Sequence, residues 1–445
     1  MERENWTNNI IFILTVAGAA IGLGNIWRFP YLVGTNGGAA FVIIYLLMVI
    51  VIGIPLLMTE MVIGRSTQKN SVDAFGGVNI SKLWKIVGYM GLLGAFGILS
   101  YYTVLAGWVL GYGLFTASGV INLTAGATQE YYTNFFDNFV VNTPLIILFS
   151  FIFIIMNYFI LIKGIKGIGK VATYLVPSLF IIVIIISIKA ITLEGAMEGV
   201  KFYLVPDFSK LTAMTYLTAL GQVFFSFSIG FGVSITLASY LNKKDNIAKS
   251  ATLAGLADFL IAFLAGFMIF PAVFAFGLDP AAGTSLVFKV LPLVFSQMTF
   301  GVVIAFLFFL ILLIAAFTSS ITIYEVIITV VIEKFNYSRK KATIITLSFV
   351  ALLGNLPSIL GFSIWKKVSI LGMNIFDAFD YFSGNILFPL TAMLLALFAG
   401  YIMKERAIKE LTNNGSLKFI WIKLWIFIIK YLAPVAIIFI FISNF

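Results

Sequence analysis

Apolar runs recur along the whole chain, and they decide what it can fold into. Roughly 20 apolar residues are needed to carry a helix across the hydrocarbon layer of a bilayer. On that measure eleven spans are predicted, near 8–32, 38–64, 84–114, 143–161, 168–190, 213–241, 246–278, 298–333, 341–360, 369–403 and 419–443. Several exceed the minimum, so tilt or kinking is expected. An outer-membrane barrel would instead show ~10-residue alternating segments. Charged residues make up 10% of the 445, and hydrophobic ones 61%, whereas soluble domains carry about 25% charged residues. Mean hydropathy is +1.08. The expected class is an all-α polytopic membrane protein, a single domain over 1–445. No loop is long enough to hold a separate soluble domain. A secretory signal peptide is the competing reading of the first run, since GAA offers small residues for cleavage. The further spans, with a loop pattern of their own, argue against it.

The formal charge of +10 might point to nucleic acid, but its placement follows a membrane rule. Alternate loops hold Arg65, Lys69, Lys82 and Lys85, then Lys163, Lys166 and Lys170, then Lys243, Lys244 and Lys249. The series continues with Lys334, Arg339, Lys340 and Lys341, then Lys404, Arg406, Lys409 and Lys418. The opposite loops, 115–142 and 192–211, are longer and poorer in cations. The positive-inside rule then predicts a cytoplasmic N-terminus and, with eleven spans, an extracellular or periplasmic C-terminus in a plasma (inner) membrane. No nucleic-acid partner is expected. The chain has no cysteine and no histidine, which removes thiol chemistry, disulfides and histidine metal sites.

Two spans are interrupted. The stretch VAGAAIGLGNIWRFPYLVGTNGG, 16–38, places Gly18, Gly22 and Gly24 inside an apolar run and follows them with Asn25 and Arg28. Each glycine costs a helix roughly 1 kcal/mol against alanine, and an arginine at membrane depth costs more. The sixth span repeats the oddity: GQVFFSFSIGFGVSITLASY carries Ser226, Ser228, Gly230 and Gly232 at mid-membrane. Irregular backbone at that depth persists only where protein or a watery cavity covers it. For one such segment alone, close helix packing is the favoured reading. Interruptions at corresponding places in two five-helix halves are instead the pointer to a transporter site. Half-helix N-termini there offer N–H groups to an anion, and freed carbonyls hold a cation.

In the eighth span, AAFTSS puts the hydroxyls of Thr318 and Ser319 at depth. Hard cations prefer oxygen ligands, although Ser and Thr in helices mostly bond back to their own carbonyls. Ionisable residues at depth are Arg28, Glu60, Asp258, Glu325, Asp377 and Asp380. Arg28 and Asp380 fall toward the outer ends of their spans. Asp258 has no obvious basic partner, and a bound cation is its natural counter-charge.

The segments GAAIGLGNIWRFPYLVGTNGGAAF, GIPLLMTEMVIGR, SYYTVLAGW, LVPDFSKL, GQVFFSFSIGFG and AAFTSSI together resemble the neurotransmitter:sodium symporter family, in the style of its bacterial LeuT-type amino-acid transporters. The likeness runs in order over nearly the whole chain. The family usually has twelve spans, and this chain resembles its eleven-span bacterial members. The resemblance implies a LeuT-like five-plus-five inverted repeat with helices 1 and 6 broken. The first repeat would cover 1–190, the second 213–403, and helix 11 would follow at 419–445. It implies Na⁺-driven import of an amino acid by alternating access, with two sodium sites.

Carried over by position, the first sodium site would use Ala20, Asn25, Ser226 and Asp258. The second would use Gly18, Ile21 and Ala315 with the hydroxyls of Thr318 and Ser319. The substrate carboxylate would meet Tyr102 and the N–H groups of Leu23 and Gly24. Its ammonium would face Ala20, Phe225, Ser226 and Ser228. Ile98, Phe225, Phe231, Ser319 and Ile323 would line the side-chain pocket, an apolar space suited to a neutral apolar or aromatic L-amino acid. Arg28 with Asp380 resembles an outer gate, and Arg3 with Glu333 an inner one, although the family's usual acid there is Asp. Glu60 resembles the glutamate that holds the unwound part of helix 6. Monoamine carriers of the family hold Asp where this chain has Gly22, which favours a substrate bearing its own carboxylate. Many members have Asn where this chain has Asp258, so the added negative charge is expected to replace bound chloride.

Three rivals come from other classes. Asp377 and Asp380 sit on one helix face at the membrane edge, which does not suit a protease diad. A channel would be expected to repeat a filter motif, and none is seen. A non-transporting sensor on the same fold is argued against by the intact ligand oxygens at both ion sites.

Overall fold

A computed structural model describes residues 4–76, 81–124, 126–278 and 286–443. Nine helices among them are long and apolar enough to cross a membrane: Ala39–Thr67, Lys82–Ala117, Thr143–Leu161, Gly164–Ile191, Ile247–Ala275, Gly301–Phe335, Arg339–Leu360, Ile375–Met403 and Ile422–Ile442. A tenth crossing is a bent pair, Asn9–Ala20 with Gly24–Thr35, whose halves meet at 51°. The break in the first span is therefore a feature of the fold. The sixth expected span is not among the ten. It consists of the helix Ala213–Ser226, six residues of turn, and the short helix Val233–Ala238.

Local chemistry sets where these helices begin. The Asn8 side chain accepts from the N–H of Ile11, and Asn246 accepts from that of Lys249. Thr212 and Thr215 bond each other's backbone N–H groups in a capping box. Each cap satisfies amides that the first helical turn leaves without partners.

Burial sorts the helices into layers. In the most apolar stretch of Lys82–Ala117, 83% of residues are buried inside the protein, against 33% for Gly164–Ile191. The first is a central post, and the second turns most of its side chains to lipid. Lipid tails are as apolar as leucine, so close contact rather than water exclusion holds such helices together. A Cβ added at Gly107 would lie 2.7 Å from Ser150 Oγ, so only glycine lets those two helices approach this closely. Further helices lie outside the spans. Gln129–Val141 and Ala196–Leu204 occupy the long loops, and Glu405–Leu411 follows the Ile375–Met403 span.

Candidate substrate and ion sites

The first break is built by side chains as well as by glycine. Helix Asn9–Ala20 ends at Ile21, whose backbone is extended at ψ 97°. The Asn25 Oδ1 accepts from the Gly22 N–H at 3.0 Å, and the Asn25 N–H donates to the Gly22 carbonyl at 3.2 Å. One asparagine thus closes the gap. A Cβ at Gly22 would lie 3.0 Å from Ser319 Oγ and 3.2 Å from the Tyr102 hydroxyl. Any side chain there would occupy the space those two hydroxyls face.

The second interruption follows Ser226. Ser228, Gly230 and Gly232 have φ of +51°, +95° and +78°, a left-handed conformation that serine rarely adopts. A buried acid holds it. Glu60 is fully buried, and its Oε1 accepts the Gly230 N–H at 2.8 Å. Gln222 Nε2 donates to the Gly24 carbonyl at 3.0 Å, tying the two interrupted segments together. Gln222 had no role in the sequence reading.

Beside both lies Asp258, completely buried. Its Oδ1 accepts from Asn25 Nδ2 at 2.8 Å and from Ser226 Oγ at 2.9 Å, and its Oδ2 from Ser226 Oγ at 3.0 Å and the Tyr45 hydroxyl at 3.4 Å. Among the described residues it makes no ion pair. A buried carboxylate held by neutral donors alone is suited to a bound cation. Tyr45 was missed by the sequence reading, where a lone tyrosine in the second apolar run looks like core.

A second oxygen cluster forms where the first helix meets Gly301–Phe335. Ser319 Oγ lies 3.5 Å from the Gly18 carbonyl and 3.4 Å from that of Ile21. Thr318 Oγ1 lies 3.1 Å from the Ile314 carbonyl and 3.2 Å from that of Ala315. Hydroxyls and carbonyls with no nitrogen or sulfur suit a hard cation.

Between these clusters is a small space of about 20 Å³, room for about one water. Ala19, Ala20, Gly22, Leu23, Gly24, Ile98, Tyr102, Phe225, Ser226, Ser228, Ser319 and Ile323 line it. All the expected substrate residues except Phe231 are on that wall. Phe231 is fully buried and packs on Phe388 instead. The Leu23 N–H points to the Tyr102 hydroxyl at 3.5 Å.

Leu23, Gly24, Tyr102 and Phe225 also line a larger vestibule of about 550 Å³, together with Arg28, Tyr101, Trp108, Phe288, Lys289, Asp377 and Asp380. Arg28 lies 4.7 Å over the Phe225 ring. It shares the vestibule with Asp380, and the two form no ion pair here. Glu333 Oε2 accepts from the Asn70 backbone N–H at 3.1 Å and from its Nδ2 at 2.8 Å. Arg3, its expected partner, lies outside the described residues. Glu325 is buried, pairs with the Arg339 guanidinium and accepts from the Tyr240 hydroxyl at 3.1 Å.

A helical membrane bundle with a broken first helix, and with buried oxygen clusters beside a small cavity, defines a transporter of small solutes rather than an enzyme. The chain belongs to the sodium:neurotransmitter symporter family, whose profile matches residues 3–134 and 133–445. It is 51% identical to a protein described as an uncharacterized sodium-dependent transporter of Haemophilus influenzae, covering 100% of this chain and 98% of that one. A similarly described protein of Bacillus subtilis is 37% identical, over 98% and 97% of the two chains. The crystal structure of MhsT in complex with L-phenylalanine superposes with a TM-score of 0.89 at 40% identity, covering 100% of each chain. The protein is thus a sodium-coupled transporter with a LeuT-like fold.

Proposed function

We propose that the protein imports a neutral, apolar or aromatic L-amino acid together with Na⁺, and does so without chloride. The observation that carries this reading is the lining of the small space where the two interrupted segments meet, apolar Ile98, Phe225 and Ile323 facing polar Tyr102, Ser226 and Ser228; at about 20 Å³ the space must widen to admit an amino acid. The complex of the similar MhsT with L-phenylalanine supports the same substrate class.

The substrate carboxylate binds the Tyr102 hydroxyl and the amides of Leu23 and Gly24. Its ammonium takes the carbonyls of Ala20, Phe225 and Ser226 and the Ser228 hydroxyl. One Na⁺ sits among Ala20, Asn25, Ser226 and Asp258, the Asn25 amide turning its oxygen to the ion. A second sits among the carbonyls of Gly18, Ile21 and Ala315 and the hydroxyls of Thr318 and Ser319. The Asp258 carboxylate supplies the negative charge that chloride would otherwise bring. Helices Ala213–Ser226 and Val233–Ala238 together form one more broken span, giving eleven crossings. Repeats over 1–190 and 213–403 then rock about the site, with helix 11 at 419–445 outside them. The distribution of lysine and arginine supports a cytoplasmic N-terminus in the plasma membrane. Arg28 with Asp380, above Tyr102, closes the outer side, Arg3 with Glu333 closes the inner side, and Glu60 holds the unwound turn.

Equilibrium competition against radiolabelled phenylalanine on the purified protein in Na⁺ tests the substrate class. Leucine, tyrosine and tryptophan are expected to compete, because one methylene more or less changes affinity in such a pocket by only ~1–3 kcal/mol. Stronger competition by lysine, glutamate or glycine would reject the reading.

A further inference from the structure

The transport pathway leaves unused a groove on the lysine-rich side of the bundle. It lies where the helix Ile247–Ala275 begins, against the chain that leads into Ile422–Ile442, and holds about 330 Å³. Asn246, Lys249 and Leu253 form one wall, and Leu417, Lys418 and Phe419 the other. Among the described residues, the two lysines are the only charged ones lining it. Both are exposed, and neither makes an ion pair among the described residues.

Of the neighbouring acids, Glu410 is held in ion pairs, whereas Asp245 keeps its charge and bonds a backbone amide. Glu410 pairs with Arg65 at 2.6 Å and Lys243 at 3.2 Å, and Asp245 Oδ2 accepts the Asn242 N–H at 3.2 Å. The lining itself carries two positive charges and no negative one, and the N-terminal end of a 29-residue helix adds its dipole to the same wall. Apolar surface runs away from this end. Leu253, Leu256 and Leu260, exposed at 43%, 41% and 45%, recur at helical spacing on one face. Trp421, exposed at 63%, lies on the opposite chain, and tryptophan favours the headgroup level of a membrane. Cations at a helix end above an apolar stripe match the two halves of a phospholipid.

We propose that this groove binds an anionic phospholipid, with Lys249 and Lys418 holding the headgroup phosphate and an acyl chain lying along Leu253, Leu256 and Leu260. Basic pockets between membrane helices recognise such headgroups through charge at the interface. The site is separate from the substrate cavity, so it stands whether or not the proposed amino acid is the cargo. The Arg65–Glu410–Lys243 cluster lies next to it through Leu411, so a bound lipid braces the contact between the end of Ala39–Thr67, the helix Glu405–Leu411 and the segment before Ile247.

The test uses the full chain, single copies in nanodiscs of phosphatidylcholine with phosphatidylglycerol as the minor component. Native mass spectrometry after release into mild detergent counts the lipids retained. The wild type is expected to keep phosphatidylglycerol in preference to phosphatidylcholine. Lys249→Ala with Lys418→Ala should lower that retention by about tenfold. Lys166→Ala with Lys170→Ala removes equal charge from another exposed part of the basic surface and should leave retention unchanged. Equal loss in both double variants, equal retention of the two lipids, or displacement of the lipid by millimolar inorganic phosphate would each overturn the proposal.

Discussion

The Ser226 hydroxyl lies 2.9 Å and 3.0 Å from the two carboxylate oxygens of Asp258. That contact joins the end of one interrupted helix to the seventh span and places the acid beside Asn25 of the first break. On the proposed reading, Na⁺ balances this buried carboxylate, and the carboxylate takes the place of a second anion. Wild-type uptake should therefore be the same in chloride and in gluconate media. Asp258→Asn should slow uptake at least tenfold or make it chloride-stimulated. An asparagine variant that behaves like wild type in both media removes this role from Asp258.

The second oxygen cluster leads to a prediction about ion affinity. Thr318→Ala with Ser319→Ala removes two hydroxyls and leaves the carbonyls of Gly18, Ile21 and Ala315. The Na⁺ concentration for half-maximal substrate binding should rise at least tenfold, about 1.4 kcal/mol. An unchanged Na⁺ dependence would mean that these hydroxyls serve only as packing contacts, Thr318 to its own helix and Ser319 to the first.

Arg28 and Asp380 face one vestibule without touching, which fits a gate that closes only when substrate is held. Arg28→Ala should lower the transport rate at least tenfold while changing equilibrium substrate affinity much less. Transport at the wild-type rate would end the gate assignment.

Gly22 tests the shape of the site. Its missing Cβ would sit within 3.2 Å of two hydroxyls, where the substrate carboxylate is proposed to bind. Gly22→Ala should weaken substrate binding at least tenfold, with the thermal stability of the sodium-bound protein little altered. Retained affinity would place the carboxylate elsewhere.

Outside the spans, Asp73 accepts from Lys85 Nζ at 2.6 Å and from Asn70 Nδ2 at 2.9 Å. Burial alone would raise its carboxyl, but the bonds from Lys85 and Asn70 outweigh it and hold the group below the usual carboxylate range. A lowered native pKa adds stability above the unfolded value, and that stability is lost as pH falls through the native one. With both partners partly exposed, Asp73→Asn should cost no more than ~1 kcal/mol at neutral pH. The gap from wild type should close below about pH 4. Thermal melts at both pH values check the sign, and a gap that widens in acid contradicts it.

The membrane class and the broken first helix were legible because bilayer thickness sets a length that apolar runs must meet, and because glycines in such a run need a reason. Most of the cavity wall was legible through short motifs, since Gly22, Leu23, Gly24, Ser226 and Ser319 stand in segments with a recognisable family pattern. Tyr45 was not, because one hydroxyl in an apolar helix means nothing until Asp258 is packed against it. Gln222 was hidden likewise, its partner being a carbonyl 198 positions away. The Arg65–Glu410 pair spans 345 positions, and no local pattern predicts which acid a loop arginine will reach. Phe231 stands in the same GFG segment as its neighbours, yet its ring packs on Phe388. Which side of the wall a ring occupies is decided by tertiary packing.

The most direct test of the central claim is uptake of radiolabelled phenylalanine into proteoliposomes, with an inward Na⁺ gradient as the only driving force. Accumulation above the external concentration is expected, in chloride or gluconate alike, with collapse when the gradient is dissipated. Equal accumulation with choline in place of Na⁺, or none with any neutral amino acid under the Na⁺ gradient, would contradict it.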